Sequence, residues 1–166
     1  MSLDLFIKSK TPIKKTGTGV YIRENGRTRE LKTKEEVLCY FGNSDGVDVN
    51  VYETDEIWHE NMTHNLGNIA SKIKGKERNL YTLLWRPTEN KVTKDWVTEI
   101  LRCYTYMMEH EDELRPLEEE NRIHESNGNS YIWGTYNLLK EFMESLVRCL
   151  LDLPYEREDY ILISDV

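Results

Sequence analysis

The chain is poor in the residues that staple or anchor small proteins. It has three cysteines in 166 residues, Cys39, Cys103 and Cys149, and no Cys-x-x-Cys pair. An odd, widely spaced set argues against a disulfide framework or a zinc ribbon and reads as free thiols in a reducing cytosol. No apolar run approaches the ~18 residues of a membrane span, and there is no signal-peptide core. A cytoplasmic protein that does not contact a membrane is therefore expected. Gly-x-Ser-x-Gly is absent, and Gly17-Thr18-Gly19 lacks the rest of a phosphate loop. His59 and His64 are five residues apart. A zinc-protease helix needs a spacing of four, so its motif is missing. No cofactor or metal is expected, and no catalytic residue stands out.

What is present is ordinary for one globular domain spanning residues 1–166. Hydrophobic residues make up 39% and charged residues 31%, too apolar a mixture for disorder. The formal net charge is -8, unevenly spread. Residues 1–36 hold nine Lys and Arg against five Asp and Glu, whereas the remainder holds thirteen against twenty-five. The acidic body opposes general nucleic-acid binding, while the basic first segment carries the cations that a local anion site needs.

Periodicity gives the elements. Leu3 to Lys8 reads as a strand, followed by a loop through Pro12 and Gly17. Val20–Glu24 and Arg27–Leu31 flank Asn25-Gly26, the signature of a type I′ hairpin. Thr33 to Glu36 is a capping box opening a helix that ends at Gly42. Val47, Val49 and Val51 alternate with polar residues as another strand. From about Glu60 to Pro154 the pattern is helical, with a loop at Asn127 to Ser130. A first helix covers about Asn61 to Ile73 and a short one about Arg78 to Trp85. Thr93 caps a long helix and Thr135 caps the last, before a closing strand over Tyr160 to Ile163. The expected fold is α+β: a small, mainly antiparallel sheet packed against three to four helices.

One cluster breaks the local rules. On a helix over 61–73, Met62, Leu66, Ile69 and Ile73 share a buried face. Asn61, His64, Asn65 and Asn68 share another, and Thr63 and Gly67 lie on a third. Three Asn and one Gly within eight residues cost a helix roughly 2–3 kcal/mol relative to alanine. Residues that break a local rule without visible gain point to function. Downstream, Trp85-Arg86-Pro87 offers a flat ring and a guanidinium at a helix end. Trp133-Gly134-Thr135-Tyr136 opens another helix.

These motifs resemble those of a widespread family of short, uncharacterised proteins encoded by bacteriophages and prophages. The matches are Met1 to Leu5, Asn61 to Gly67, Leu84 to Pro87 and Trp133 to Tyr136. The chain departs from that pattern in a hairpin-plus-helix insertion over about 11–46, in a longer stretch from Ser71 to Asn79, and in Asn129 to Ile132 before Trp133. The resemblance implies a phage context in an infected bacterial host and carries no mechanism.

The leading expectation is a non-enzymatic protein that binds a small anionic or nucleotide-like ligand and sequesters a host defence signal. Asn61, Thr63, His64 and Asn65 would hydrogen-bond the ligand. Arg86 would meet its charge, and Trp85, Trp133 or Tyr136 would stack on it. Two other readings stay open. One is an acidic inhibitor of a host defence or nucleic-acid-binding protein, using Glu118 to Glu120. The other is an enzyme with His64 as general base. Self-association into a homo-oligomer is open as well.

Overall fold

The computed structural model describes residues 2–165 apart from 25, 26, 89 and 155–158. The fold is α+β, as the sequence predicts. Strand β1 (Ser2–Gly17) is the centre of a three-stranded antiparallel sheet ordered β4-β1-β7. Strand β4 spans Asn50–Thr63 and β7 spans Tyr160–Asp165. Leu3, Leu5 and Ile7 alternate onto one face of β1 and are fully buried, so only that face meets the helices.

Helix α4 (Lys94–Glu109) and helix α6 (Tyr136–Asp152) supply most of the covering layer. Thr93 caps α4 by accepting from the amide of Trp96, and Thr135 caps α6 by accepting from that of Leu138. The stripe Leu138, Leu139, Phe142, Met143, Leu146 and Leu150 is buried against the sheet and α4. Short helix α3 (Leu80–Leu84) precedes α4, and between α4 and α6 lie helix α5 (Glu111–Leu114), a 3₁₀ segment Arg115–Asn121, and the hairpin β5 (Arg122–His124)–β6 (Ser130–Ile132). The loop before α3 is fastened by the buried carboxylate of Glu99. It accepts from the amides of Lys76 at 2.7 Å and Glu77 at 3.1 Å, with the Arg78 guanidinium 3.9 Å away.

The helix expected over 61–73 is not there. Asn61, Met62 and Thr63 end strand β4, paired with Asp4, Leu3 and Ser2. A 3₁₀ turn (His64–Leu66) and one turn of helix α2 (Gly67–Ala70) follow. The Asn, Thr and Gly content that weakens a helix here lets strand pairing win. Met62, Leu66, Ile69 and Ile73 are nonetheless fully buried, reached by strand, turn and helix in succession.

Three further boundaries move. The expected loop after Lys8 is a continuation of β1, interrupted by a register shift between Lys8 and Ile13 that contains Pro12. Proline lacks the amide that a regular ladder needs, and the bulge accommodates it. Strand β4 begins at Asn50, leaving Val47 and Val49 outside it. The hairpin β5–β6 flanks the loop read at Asn127 to Ser130, on residues where no strand was expected.

Residues 11–46 carry the far half of β1, the hairpin β2 (Val20–Glu24)–β3 (Arg27–Leu31), and helix α1 (Lys34–Phe41). Ile22, Leu31 and Val37 form a small second core here, with Val20 and Val47 against it. Thr33 caps α1 through the Glu36 amide, and Gly42 ends it in the left-handed region at φ 82°. The turn at Asn25-Gly26 lies outside the described residues.

Candidate functional site

The three motifs converge. Trp85 Nε1 donates to the His64 carbonyl at 3.3 Å, and its ring stacks on Tyr81. Asn65 Nδ2 donates to the Trp133 carbonyl at 3.3 Å. Asn121 Nδ2 bridges Asn68 Oδ1 and the Gly134 carbonyl, at 3.2 and 2.9 Å. Gly134 has φ 114°, and a Cβ there would stand 3.0 Å from the Thr63 methyl. Gly67 is equally tight, since a Cβ would stand 3.0 Å from the Tyr81 ring. The polar residues that looked costly on a solvated helix face thus bond to one another's elements.

The convergence leaves most of these groups committed. Trp85 and Thr63 are buried, and Tyr136 is fully buried, its hydroxyl donating to the Met107 carbonyl at 2.7 Å. Burial pushes the Tyr136 phenol up to about 12. Asn65 and Arg86 are exposed, and Arg86 makes no ion pair among the described residues. Trp133 is half-buried, with the Arg23 guanidinium 5.8 Å from its ring. His64 Nδ1 is buried without a partner among the described residues. Asn61 Nδ2 donates to Asp4 Oδ1 at 2.8 Å, which also meets His59 Nε2 at 3.2 Å, while Asn61 Oδ1 has no partner among the described residues.

The acidic run is also tied in. Glu118 accepts from the amide of Tyr136, Glu119 pairs with Arg122, and Glu120 accepts from Asn68. Among the described residues no group of three or more His, Cys, Asp and Glu could hold a metal ion, and no helix is long and apolar enough to cross a membrane.

A polar concavity lies elsewhere. A cleft of about 490 Å³ opens between strand β3 and the outer edge of β4. Its lining takes residues from both faces of β4, His59 and Asn61 from one and Trp58 and Glu60 from the other, which sets it at the strand edge. No backbone hydrogen bond joins β3 to β4 among the described residues. Side chains hold the hairpin instead. Arg27 forks onto Glu60, with Nε 2.9 Å from Oε2. Ser145 of α6 donates to Glu60 and accepts from Trp58 Nε1.

The cleft is polar on both signs. Its cations are Lys15, Arg27, Arg29 and Lys32, all from the basic first segment. Most of its charges are already partnered: Arg27 by Glu60, Arg29 by Glu24, Asp4 by Asn61 and His59, and Glu36 by the Lys32 amide. Lys15 and Lys32 make no ion pair among the described residues. Lys15 stands directly opposite Tyr52 in the β1–β4 register. It is half-buried, and that burial lowers its pKa below the usual lysine value, with Lys32 acting the same way and Glu56 opposing. Tyr21 and Tyr52 line the same space, and burial raises both phenols.

Of the sequence-derived site residues, Asn61 alone lines this cleft. The charge asymmetry of residues 1–36 pointed to its cations, but nothing local in the sequence signals that a hairpin folds back beside β4. No protein-family model, curated protein or solved structure matches the chain.

Proposed function

We propose that the protein is a non-enzymatic binder of a small anionic or nucleotide-like ligand, and that the cleft between β3 and β4 is its site. The observation that carries this reading is a pair of cations, Lys15 and Lys32, without an ion pair among the described residues, in a cleft that also holds Tyr21 and Tyr52. A phosphate or carboxylate meets the two ammonium groups, and a flat ring lies against a tyrosine. The volume is in the range of small-molecule pockets. In the phage context that the motif resemblance implies, sequestration of a host signalling molecule is the use such a binder serves.

The test is isothermal titration of the whole protein with adenosine monophosphate, guanosine monophosphate and inorganic phosphate. Saturable binding that weakens with salt and is lost in a Lys15→Met, Lys32→Met double variant of unchanged circular dichroism supports the reading. Binding unaffected by that double substitution, or no binding of any of the three probes, counts against it.

A further inference from the structure

We propose that Lys15 is a carbonyl-reactive amine, so that the cleft captures a small aldehyde or ketone bearing an anionic group as an imine on Lys15. The inference rests on the cleft being a ligand site and names the chemistry of one class of ligand. Four observations meet at this residue. Lys15 lines the cleft, so a ligand reaches it. Its side chain makes no hydrogen bond or ion pair among the described residues, so its nitrogen lone pair is not tied to a neighbour once the proton is lost. It is half-buried, a condition that favours the neutral, nucleophilic amine, and its pKa is lowered accordingly. Lys32 lines the same cleft and supplies a separate cation for the ligand's anionic group.

The step is balanced without a further reagent. The neutral amine of Lys15 adds to the carbonyl carbon, and the carbonyl oxygen takes up a proton to give a carbinolamine. Loss of the hydroxyl as water, with the second proton of the nitrogen, leaves the C=N bond. Amine and carbonyl become imine and water, with no change of oxidation state. Solvent in the open cleft passes the proton from nitrogen to oxygen, and Glu56 lines the same space. The remaining groups acting on Lys15 are Glu30 and the Cys149 thiol. Burial holds that thiol near 11, so it stays neutral at neutral pH.

Glyoxylate, a carboxylate joined to an aldehyde, is the probe. The whole protein is incubated with glyoxylate and cyanoborohydride at neutral pH, and each modified lysine is located by peptide mass spectrometry. Lys15 is expected to be labelled several-fold faster than the exposed Lys14 and Lys72. Labelling of Lys15 no faster than of those two overturns the proposal. A Lys15→Arg variant removes the amine and is expected to lose the fast label. Probe binding, measured on the wild type, tests the binding reading separately. Selective labelling that persists elsewhere in the cleft of Lys15→Arg contradicts Lys15 as the reactive amine. Absence of probe binding in the wild type is a failure of the binding reading alone.

Discussion

Gly134 packs against Thr63 so closely that an added Cβ would come within 3.0 Å of the threonine methyl. Two motifs separated by seventy residues of chain therefore share one contact, at a glycine whose φ of 114° suits no other residue. Gly134→Ala is expected to lower unfolding free energy by about 2 kcal/mol or more, from backbone strain and overpacking together. Urea denaturation measures this, and a change within about 0.5 kcal/mol would show that the contact yields freely.

Trp85 and Arg86 are adjacent yet differ in kind. Trp85→Phe removes the donor to the His64 carbonyl and leaves space in the core, so a loss of about 1–3 kcal/mol is expected. Arg86→Ala, at an exposed residue, is expected to change stability by less than about 0.5 kcal/mol. Thermal or urea unfolding of the pair distinguishes a structural tryptophan from a solvated arginine.

Glu99 is the buried anion of the helical layer. Glu99→Ala strips two loop amides of their acceptor and leaves the Arg78 guanidinium without its buried partner. A loss of about 2–4 kcal/mol is expected. Amide exchange at Lys76 and Glu77 should also accelerate more than in α6, which checks that the damage begins in this loop.

Alkaline pH should unfold the protein before mild acid does. Burial raises Cys103 to about 12, Cys149 to about 11 and Tyr136 to about 12, from ordinary values of 9.0 for the thiols and 10.0 for the phenol. Each folded-state value is raised, so the unfolded chain loses these protons first. The stabilisation is complete below pH 9 and is lost progressively as pH rises from there through about 12. A denaturation series across that range should show falling midpoints. In native protein near pH 8, a thiol reagent should react with the exposed Cys39 first and with Cys103 only on unfolding.

The parts of the fold that were legible in the sequence are those governed by local signals. Thr93 and Thr135 announced two helix starts, Gly42 a helix end, and the stripe from Leu138 to Leu150 a buried face. The stretch from Asn61 was misread because its apolar spacing fits a helix while its partners, Ser2 to Asp4, lie some sixty residues away in the chain. Strand pairing is a long-range choice that periodicity does not see. The same holds for the candidate site. The unusual Asn, Gly and Trp residues were read as a ligand site, and in the structure they bond to and pack on one another's elements. The cleft depends on how the hairpin leans on Glu60 and Ser145, which only the fold reveals.

The central claim is that ligand binding belongs to the cleft and not to the converged motifs. Amide proton–nitrogen correlation spectra recorded during titration with adenosine monophosphate test it most directly. The account predicts shifts concentrated at Lys15, Tyr21, Lys32, Tyr52 and Glu56, with Asn65, Arg86 and Trp133 unmoved. Shifts centred on Asn65, Arg86 and Trp133, with the cleft unmoved, would contradict it.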